Sequence, residues 1–557
     1  MSKNIQSPHT YPSLIFSNAR VLTSNSSQPR AEAIALAGNR IIAVGSNNDV
    51  LALAQPNTHL IDAECCSLLP GFIDSHAHLF IGSAELDNVF LDDVRSLEDL
   101  SMKLKKHVAA HPDVEWVCGS HMKYSILPSN EPLTRHHLDA ILPEQPIALM
   151  AYDYHTLWVN TKALKLAGIL NGYDPGLTGV VVMGADDMVT GELREAAAYH
   201  PVLIHAGPWG RATSELTSGQ PRDISAQADL RTIKKGLSFI ARHGITSLHN
   251  MDGNLTKLAL YASLEGSGEL STRLSVPYGI TPSTTSSELE EAAHMHSEVH
   301  SDLLHAGAVK FFMDGVIESG TAYLLEEYAD AQGLCGHPFY SLEQFIELGS
   351  LCDRLGMQIR VHSIGDAATR QTLDGFEAIQ RINGPRDGRH RIEHIELLHP
   401  RDVSRFAELG VIASMQPLHL AGSNFENDVW LRRVGETRWD HGFSWRSLRN
   451  AGARLAFGSD WPVVSPNPML GLDRAINRKP WLPHLASQSQ SLLDYLSSYT
   501  RDAAFAEFQE DQKGQLRPGY LADIVLLSAD LESIPSEEIS QVVPLMTICD
   551  GHITYEA

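Results

Sequence analysis

The sequence predicts an α/β protein built on a closed (β/α)8 barrel, a TIM barrel, and three observations lead there. Eight short apolar segments recur along the chain, helix-like stretches separate most of them, and polar residues collect where the segments end. The segments are 71–79 (GFIDSHAHL), 244–251 (GITSLHNM), 273–280 (RLSVPYGI), 308–315 (AVKFFMDG), 358–366 (QIRVHSIGD), 391–397 (RIEHIEL), 411–417 (VIASMQP) and 454–463 (RLAFGSDWPV). Strands that alternate with helices pair in parallel, and eight such units suffice to close a barrel.

The remaining chain belongs to other units. Residues 14–62 alternate β-branched runs with turn signals, and 513–557 repeat that style around Pro-Gly and Asp-Gly turns. The two ends are expected to pair into one small antiparallel β-domain, 1–69 with 513–557, leaving 70–512 to the barrel. The stretch 80–243 is too long for one crossover, so it is expected to hold a subdomain, at about 90–230, inserted over the barrel mouth.

Composition narrows the function. Of the 557 residues, 43 are Lys or Arg against 67 Asp or Glu, a formal net charge of -24 that disfavours binding to phosphate backbones. Hydrophobic residues at 43% and charged residues at 20% describe an ordinary globular protein. The chain shows neither a secretory leader nor an apolar run of membrane-spanning length, so a soluble, cytoplasmic protein acting on a small molecule is expected, with no membrane or nucleic-acid partner. A homodimer is the default assembly. The six cysteines form no CxxC pair, and the adjacent Cys65 and Cys66 read as buried thiols, not ligands.

In a TIM barrel the active site lies at the C-terminal ends of the strands. His76 and His78 end the first segment, His249 the second, Lys310 and Asp314 the fourth, His362 the fifth, Glu393 and His394 the sixth and Asp460 the eighth. An HxH triplet alone says little, since chance predicts about one among 27 histidines, and His294-Met295-His296 is a second. On a strand, however, residues two apart share a side, so His76 and His78 can share a metal. The other pair lies in an acidic, helix-like stretch, where residues two apart do not face each other. Four imidazoles at strand ends suit zinc or a similar ion, and Asp460 adds a carboxylate. Each has a plainer role open to it, such as a hydrogen-bonded barrel histidine or, for Asp460, a helix cap. Lys310 discriminates: about 4 Å from a divalent ion its ammonium would be repelled by roughly 8 kcal/mol at an effective dielectric near 20. Addition of carbon dioxide would reverse that sign, while pairing with Asp314 is the plainer alternative.

These residues resemble the metal-dependent amidohydrolase superfamily, specifically its YtcJ-like branch (amidohydrolase family 3), which includes N-substituted formamide deformylases. The resemblance runs through LPGFIDSHAHL, HTLWVNTKALKLAGI with TGELREAA, VKFFMDGVIESGTAYLLEEY, VHSIGDAATRQTLDGFE, HRIEHIELLHPRDVSRFAELGVIASMQPLH, AFGSDWPVVSPNPMLGL and GQLRPGYLADIVLL. It implies a barrel flanked by a β-sandwich from both termini and a binuclear centre, usually zinc. His76 and His78 would hold the more buried metal, carboxylated Lys310 would bridge, His362 and His394 would hold the second, and Asp460 would bind metal and carry protons. The chain departs from the pattern in the polar stretch 207–225 and at His121.

The resulting expectation is hydrolysis of a C–N bond of amide, N-formyl or N-acyl type by metal-activated hydroxide. Ester or lactone hydrolysis on the same centre, a mononuclear deaminase and a non-catalytic scaffold are the alternatives. Substrate contacts are expected from His155, Trp158 and Asn160 in the insert, with a place in the insert core equally open to Trp158, from Gln416 and His419 after the seventh segment, and from Asp314, Glu318 and Tyr323 after the fourth. His249 and Asp252 would touch substrate or orient ligand imidazoles.

Overall fold

The computed structural model describes residues 11–127, 131–176, 179–214, 226–421 and 428–557. Eight parallel strands pair in chain order: β1 (Phe72–Ala77), β2 (Ile245–Asn250), β3 (Arg273–Gly279), β4 (Leu304–Phe312), β5 (Gln358–Ser363), β6 (Arg391–His394), β7 (Ile412–Met415) and β8 (Leu455–Phe457). Where β8 returns to β1 the barrel is nearly closed. Asp460 N donates to the His76 carbonyl (2.6 Å) and His78 N to that of Trp461 (2.7 Å). Parallel strands buried on both faces read as continuous apolar runs, which is why all eight are visible in the sequence. β4 starts four residues before its apolar segment, because half-buried His305 and Gly307 interrupt the run.

The helices between strands carry their own start signals. Leu342–Arg354 begins at Ser341, whose hydroxyl accepts from Gln344 N (3.2 Å) while the Gln344 side chain accepts from Ser341 N (2.9 Å). His294 and His296 lie on the helix Ser286–Glu298, with His294 exposed and His296 half-buried.

The barrel interior is not all apolar. Arg360 is buried, donating to Ser275 Oγ (2.7 Å) and Gln358 Oε1 (2.9 Å), and Arg391 is buried beneath the strand ends. Arg273 points the other way and forks onto Asp523 (2.7 and 2.9 Å), tying β3 to the C-terminal segment.

The two ends of the chain meet in one six-stranded sheet. Ser67–Pro70 pairs in parallel with Arg20–Leu22 and antiparallel with Ile524–Leu527, and Pro544–Cys549 and His552–Glu556 extend it. A second sheet of four strands contains Leu14–Ser17, paired in parallel with His59–Asp62. The terminal pairing is thus mixed, not purely antiparallel as the turn pattern suggested; Arg20–Leu22 reaches Ser67–Pro70 through a long connection, without a hairpin. Phe16, Ile34, Leu68, Ile524 and Ile548 share one apolar cluster. Residues 89–194 contribute another six-stranded sheet with its own cluster around Leu100, Leu138, Leu149 and Trp158.

Cys65 is exposed and Cys66 half-buried, so the expectation of buried thiols fails there; both lie in a turn, with Cys65 at φ 62°. Among the described residues, no helix is long and apolar enough to cross a membrane.

Candidate metal centre

The two histidines of β1 and its end are held by the same device. His76 Nδ1 lies 2.7 Å from Glu393 Oε2, and Glu393 is forked by Arg391 (Nε to Oε1, 2.5 Å). His78 Nδ1 lies 2.9 Å from Asp252 Oδ1, and Asp252 is paired with buried Lys257. A carboxylate on Nδ1 selects the Nδ1–H tautomer and leaves the lone pair on Nε2. Both Nε2 atoms then face Asp460 Oδ1, each at 3.3 Å.

His394 and His419 complete the ring around Asp460. His394 Nδ1 is 3.8 Å and His419 Nε2 3.6 Å from Asp460 Oδ2. The His362 ring centroid lies 4.5 Å from that of His394. His362 Nε2 donates to the Gly315 carbonyl (3.1 Å), so in the neutral ring Nδ1 carries the lone pair. Lys310, 2% exposed, has its ammonium 4.9 Å from the centre of the Phe312 ring, with no hydrogen-bond acceptor.

Burial sets the charges. It depresses the basicity of His76, assisted by Lys310, and pushes His362 and His394 well below the ordinary imidazole range. It brings the Lys310 amine down to about 8 against the opposing fields of Glu393 and Asp460. Burial also opposes ionisation of Asp460, yet His76 and His78 hold its carboxyl well below the usual range.

Backbone geometry aims these groups. Along a strand, Glu393 and His394 would project to opposite sides. His394 (φ 74°) and Ile395 (φ 52°) adopt the left-handed conformation, which turns the His394 ring back so that it meets His76 (centroids 4.6 Å apart) alongside Glu393. Asp460 is also left-handed (φ 63°). Non-glycine residues in this region carry strain that the surrounding structure must maintain.

A cavity of about 360 Å³ opens above the cluster, lined by His76, His78, Lys310, His362, His394 and Asp460 together with residues from 150–155 and 195–199 and the strand-end loops. His155, Glu318 and His419, expected as substrate contacts, line it. His155 Nδ1 is 2.7 Å from Glu195; burial opposes its charge, but Glu195 raises its pKa to about 9.

Other expected contacts lie elsewhere. Trp158 is packed in the apolar cluster of the 89–194 sheet, its ring 5.1 Å from that of Tyr124, because its strand turns that face to this cluster. Asn160 caps the helix Thr161–Leu166. His249 is sealed inside the barrel between Arg391 (2.8 Å) and Glu507 (3.2 Å), behind the ligands. Asp314 accepts from the backbone N–H groups of Tyr323, Ile364 and Gly365 (2.9–3.0 Å), so it and Tyr323 fix loops and do not line the cavity. Gln416 is buried outside the cavity lining.

Sequence reasoning missed Glu195, Asp153 and Glu396. It placed Glu393 at the end of the sixth segment without a role, and the structure makes it the partner of His76. Asp252 takes the imidazole-orienting role.

The chain matches known proteins over nearly its whole length. A model described as amidohydrolase family matches residues 59–555. The chain belongs to the amidohydrolase family. This family member is 30% identical to Protein LONG AFTER FAR-RED 3 of Arabidopsis thaliana, over 97% of this chain and 91% of that protein. It is 25% identical to the N-substituted formamide deformylase of Arthrobacter pascens, over 98% of both. An uncharacterized metal-dependent hydrolase from Pyrococcus horikoshii OT3 shares the amidohydrolase fold (TM-score 0.71, 24% sequence identity), covering 91% of this chain and 96% of that one.

The donor set fits divalent cations. Ligand atoms of His76, His394 and Asp460 lie within 4.8 Å of one another. His76 Nε2, His394 Nδ1, Asp460 Oδ1 and Lys310 Nζ are buried polar atoms without hydrogen-bond partners, an arrangement that is costly unless something binds there.

Proposed function

We propose that this protein is a metal-dependent hydrolase cleaving a C–N bond of amide, N-formyl or N-acyl type. The observation that carries the reading is the set of orphaned nitrogen and oxygen atoms of His76, His394, Asp460 and Lys310, gathered beneath a cavity of substrate size. The name of the Arthrobacter relative supports the bond type.

In this reading His76, His78, Lys310, His362, His394 and Asp460 hold two divalent ions, zinc being expected. When bound, such ions supply Lewis acidity, lowering the pKa of a water and polarising a carbonyl. The lowered basicity of Lys310 favours its carboxylation: the neutral amine nitrogen bonds to the carbon of carbon dioxide, a proton leaves to solvent, and an anionic carbamate replaces the ammonium. Glu393 and Asp252 keep the His76 and His78 lone pairs directed at the centre. Asp460 takes the proton from the attacking water and delivers it to the departing nitrogen. His155, held by Glu195, positions the substrate from the insert side. The terminal sheets (1–69 with 513–557) are read as one sandwich domain beside the 70–512 barrel, and about 90–230 as an insert roofing the cavity.

A second reading is a mononuclear centre of the deaminase type, favoured by the compactness of the His76, His394 and Asp460 trio. Metal analysis with a hydrolysis panel of amides, esters and lactones decides. Two ions per chain with amide turnover, both lost in His362→Ala, are expected. One ion, with an uncarboxylated Lys310, would select the second reading.

A further inference from the structure

Carboxylates outnumber cations around the cavity, and His155, its pKa drawn up to about 9, is held by Glu195. Asp153, Glu195, Glu318, Glu396 and Asp460 line it, and among the described residues the only Lys or Arg in its wall is Lys310. Four of these carboxylates have partners. Glu195 holds His155, Asp153 accepts from Tyr124 (3.0 Å), Glu396 accepts from Trp430 Nε1 (3.0 Å), and Asp460 faces the histidines. Glu318 has no side-chain partner among the described residues, and burial, reinforced by Glu396 and Asp153, holds its carboxyl well above the ordinary range.

Glu318 also stands at a junction. A second cavity, of about 860 Å³, adjoins the first, and Tyr152, Glu318, His419 and Pro462 belong to both walls. Among the described residues, the one Lys or Arg of the outer cavity wall, Lys123, is taken by Asp92 (3.1 Å). A substrate whose carbonyl sits over the cluster can thus extend past Glu318 into the outer cavity, along a path that offers no free Lys or Arg among the described residues. The orphaned Lys310 Nζ, aimed into the same cavity, independently marks it as a ligand site.

We propose that Glu318 forms a cation-recognising subsite, and that the substrate is an amide whose distal end carries a protonated amine; amides with a distal carboxylate are excluded. This rests on the hydrolase reading above. An ammonium beside Glu318 favours its ionised form, so that binding draws the proton off a carboxyl otherwise held neutral, whereas a carboxylate placed there meets an acidic wall in which the cations His155 and Lys123 are already paired.

The test uses three formamides of similar length on the full, zinc-loaded chain: N-hexylformamide, N-(5-aminopentyl)formamide and 6-(formylamino)hexanoate. Their kcat/KM values are measured together with their affinities by titration calorimetry. The ammonium compound should exceed the carboxylate compound at least tenfold in both, and Glu318→Gln should cut that ratio at least fivefold. Equal binding of the two, binding of none of the three, or a ratio unchanged in a natively folded E318Q would overturn the subsite. If E318Q does not fold, the wild-type ratio decides alone. Charge-ordered binding without turnover would sink the hydrolase reading and keep the subsite; turnover without charge order would do the reverse.

Discussion

At the scale of single residues, the centre depends on groups that never touch a substrate. Glu393 and Asp252 each hold an imidazole by Nδ1, and each is neutralised by a buried cation, Arg391 or Lys257. Loss of such a partner commonly weakens metal binding 10–100-fold. Glu393→Gln and Asp252→Asn should each lower zinc affinity by about that factor, read by competition with a chelator; unchanged affinity would remove them from this role. Asp460→Asn tests another function: turnover should vanish while two ions remain, and retained turnover would refute its proton-carrying role. The four strand-end histidines were legible because HxH on a strand and polar residues ending apolar runs are local patterns. Of their carboxylate partners, Asp252 was legible at the end of the second segment, whereas the pairing of Glu393 with His76 was not, since it joins strands 317 residues apart and no spacing rule spans that distance.

At the scale of elements, strand ends and the turns after them do the aiming. A Cβ at Gly458, just after β8, would lie 2.5 Å from His76 N and 2.7 Å from Asp74 Oδ1, so β8 can approach β1 only without a side chain there. Gly458→Ala should cost about 1–3 kcal/mol, the usual range for overpacking, visible as a lower Tm, and should reduce zinc content; a fully stable, fully loaded variant would contradict it. The barrel strands were legible to within a few residues because burial on both faces makes them uniformly apolar. The left-handed backbone at His394 and Asp460 was not, because neither residue type signals it. Trp158 misled for a related reason: an aromatic in a polar-flanked motif reads equally as lid or as core, and the tertiary packing of the insert decides.

At the scale of the whole molecule, barrel and terminal sheet are joined by a buried ion pair. Arg273 on β3 is 2% exposed and forks onto Asp523, 5% exposed, with Asp550 beside it (2.9 Å). Removing one partner of such a pair strands the other charge away from water. Arg273→Ala should therefore destabilise the protein by about 3–5 kcal/mol, measured as a shift in the denaturant midpoint; a change below 1 kcal/mol would show that water reaches Asp523 freely.

The route of the chain through that shared sheet also has a consequence for how the protein is made. Ser67–Pro70 leads directly into β1, yet its antiparallel neighbour is Ile524–Leu527. On the ribosome, nearly the entire polypeptide must emerge before this strand finds its partner, and His76 must likewise wait for Asp460. Throughout that interval the early segments expose unpaired edges and apolar side chains, the condition under which nascent chains aggregate. The candidate centre therefore assembles late in synthesis, and a chain ending before Asp460 would lack both a donor of that centre and the contact by which β8 returns to β1.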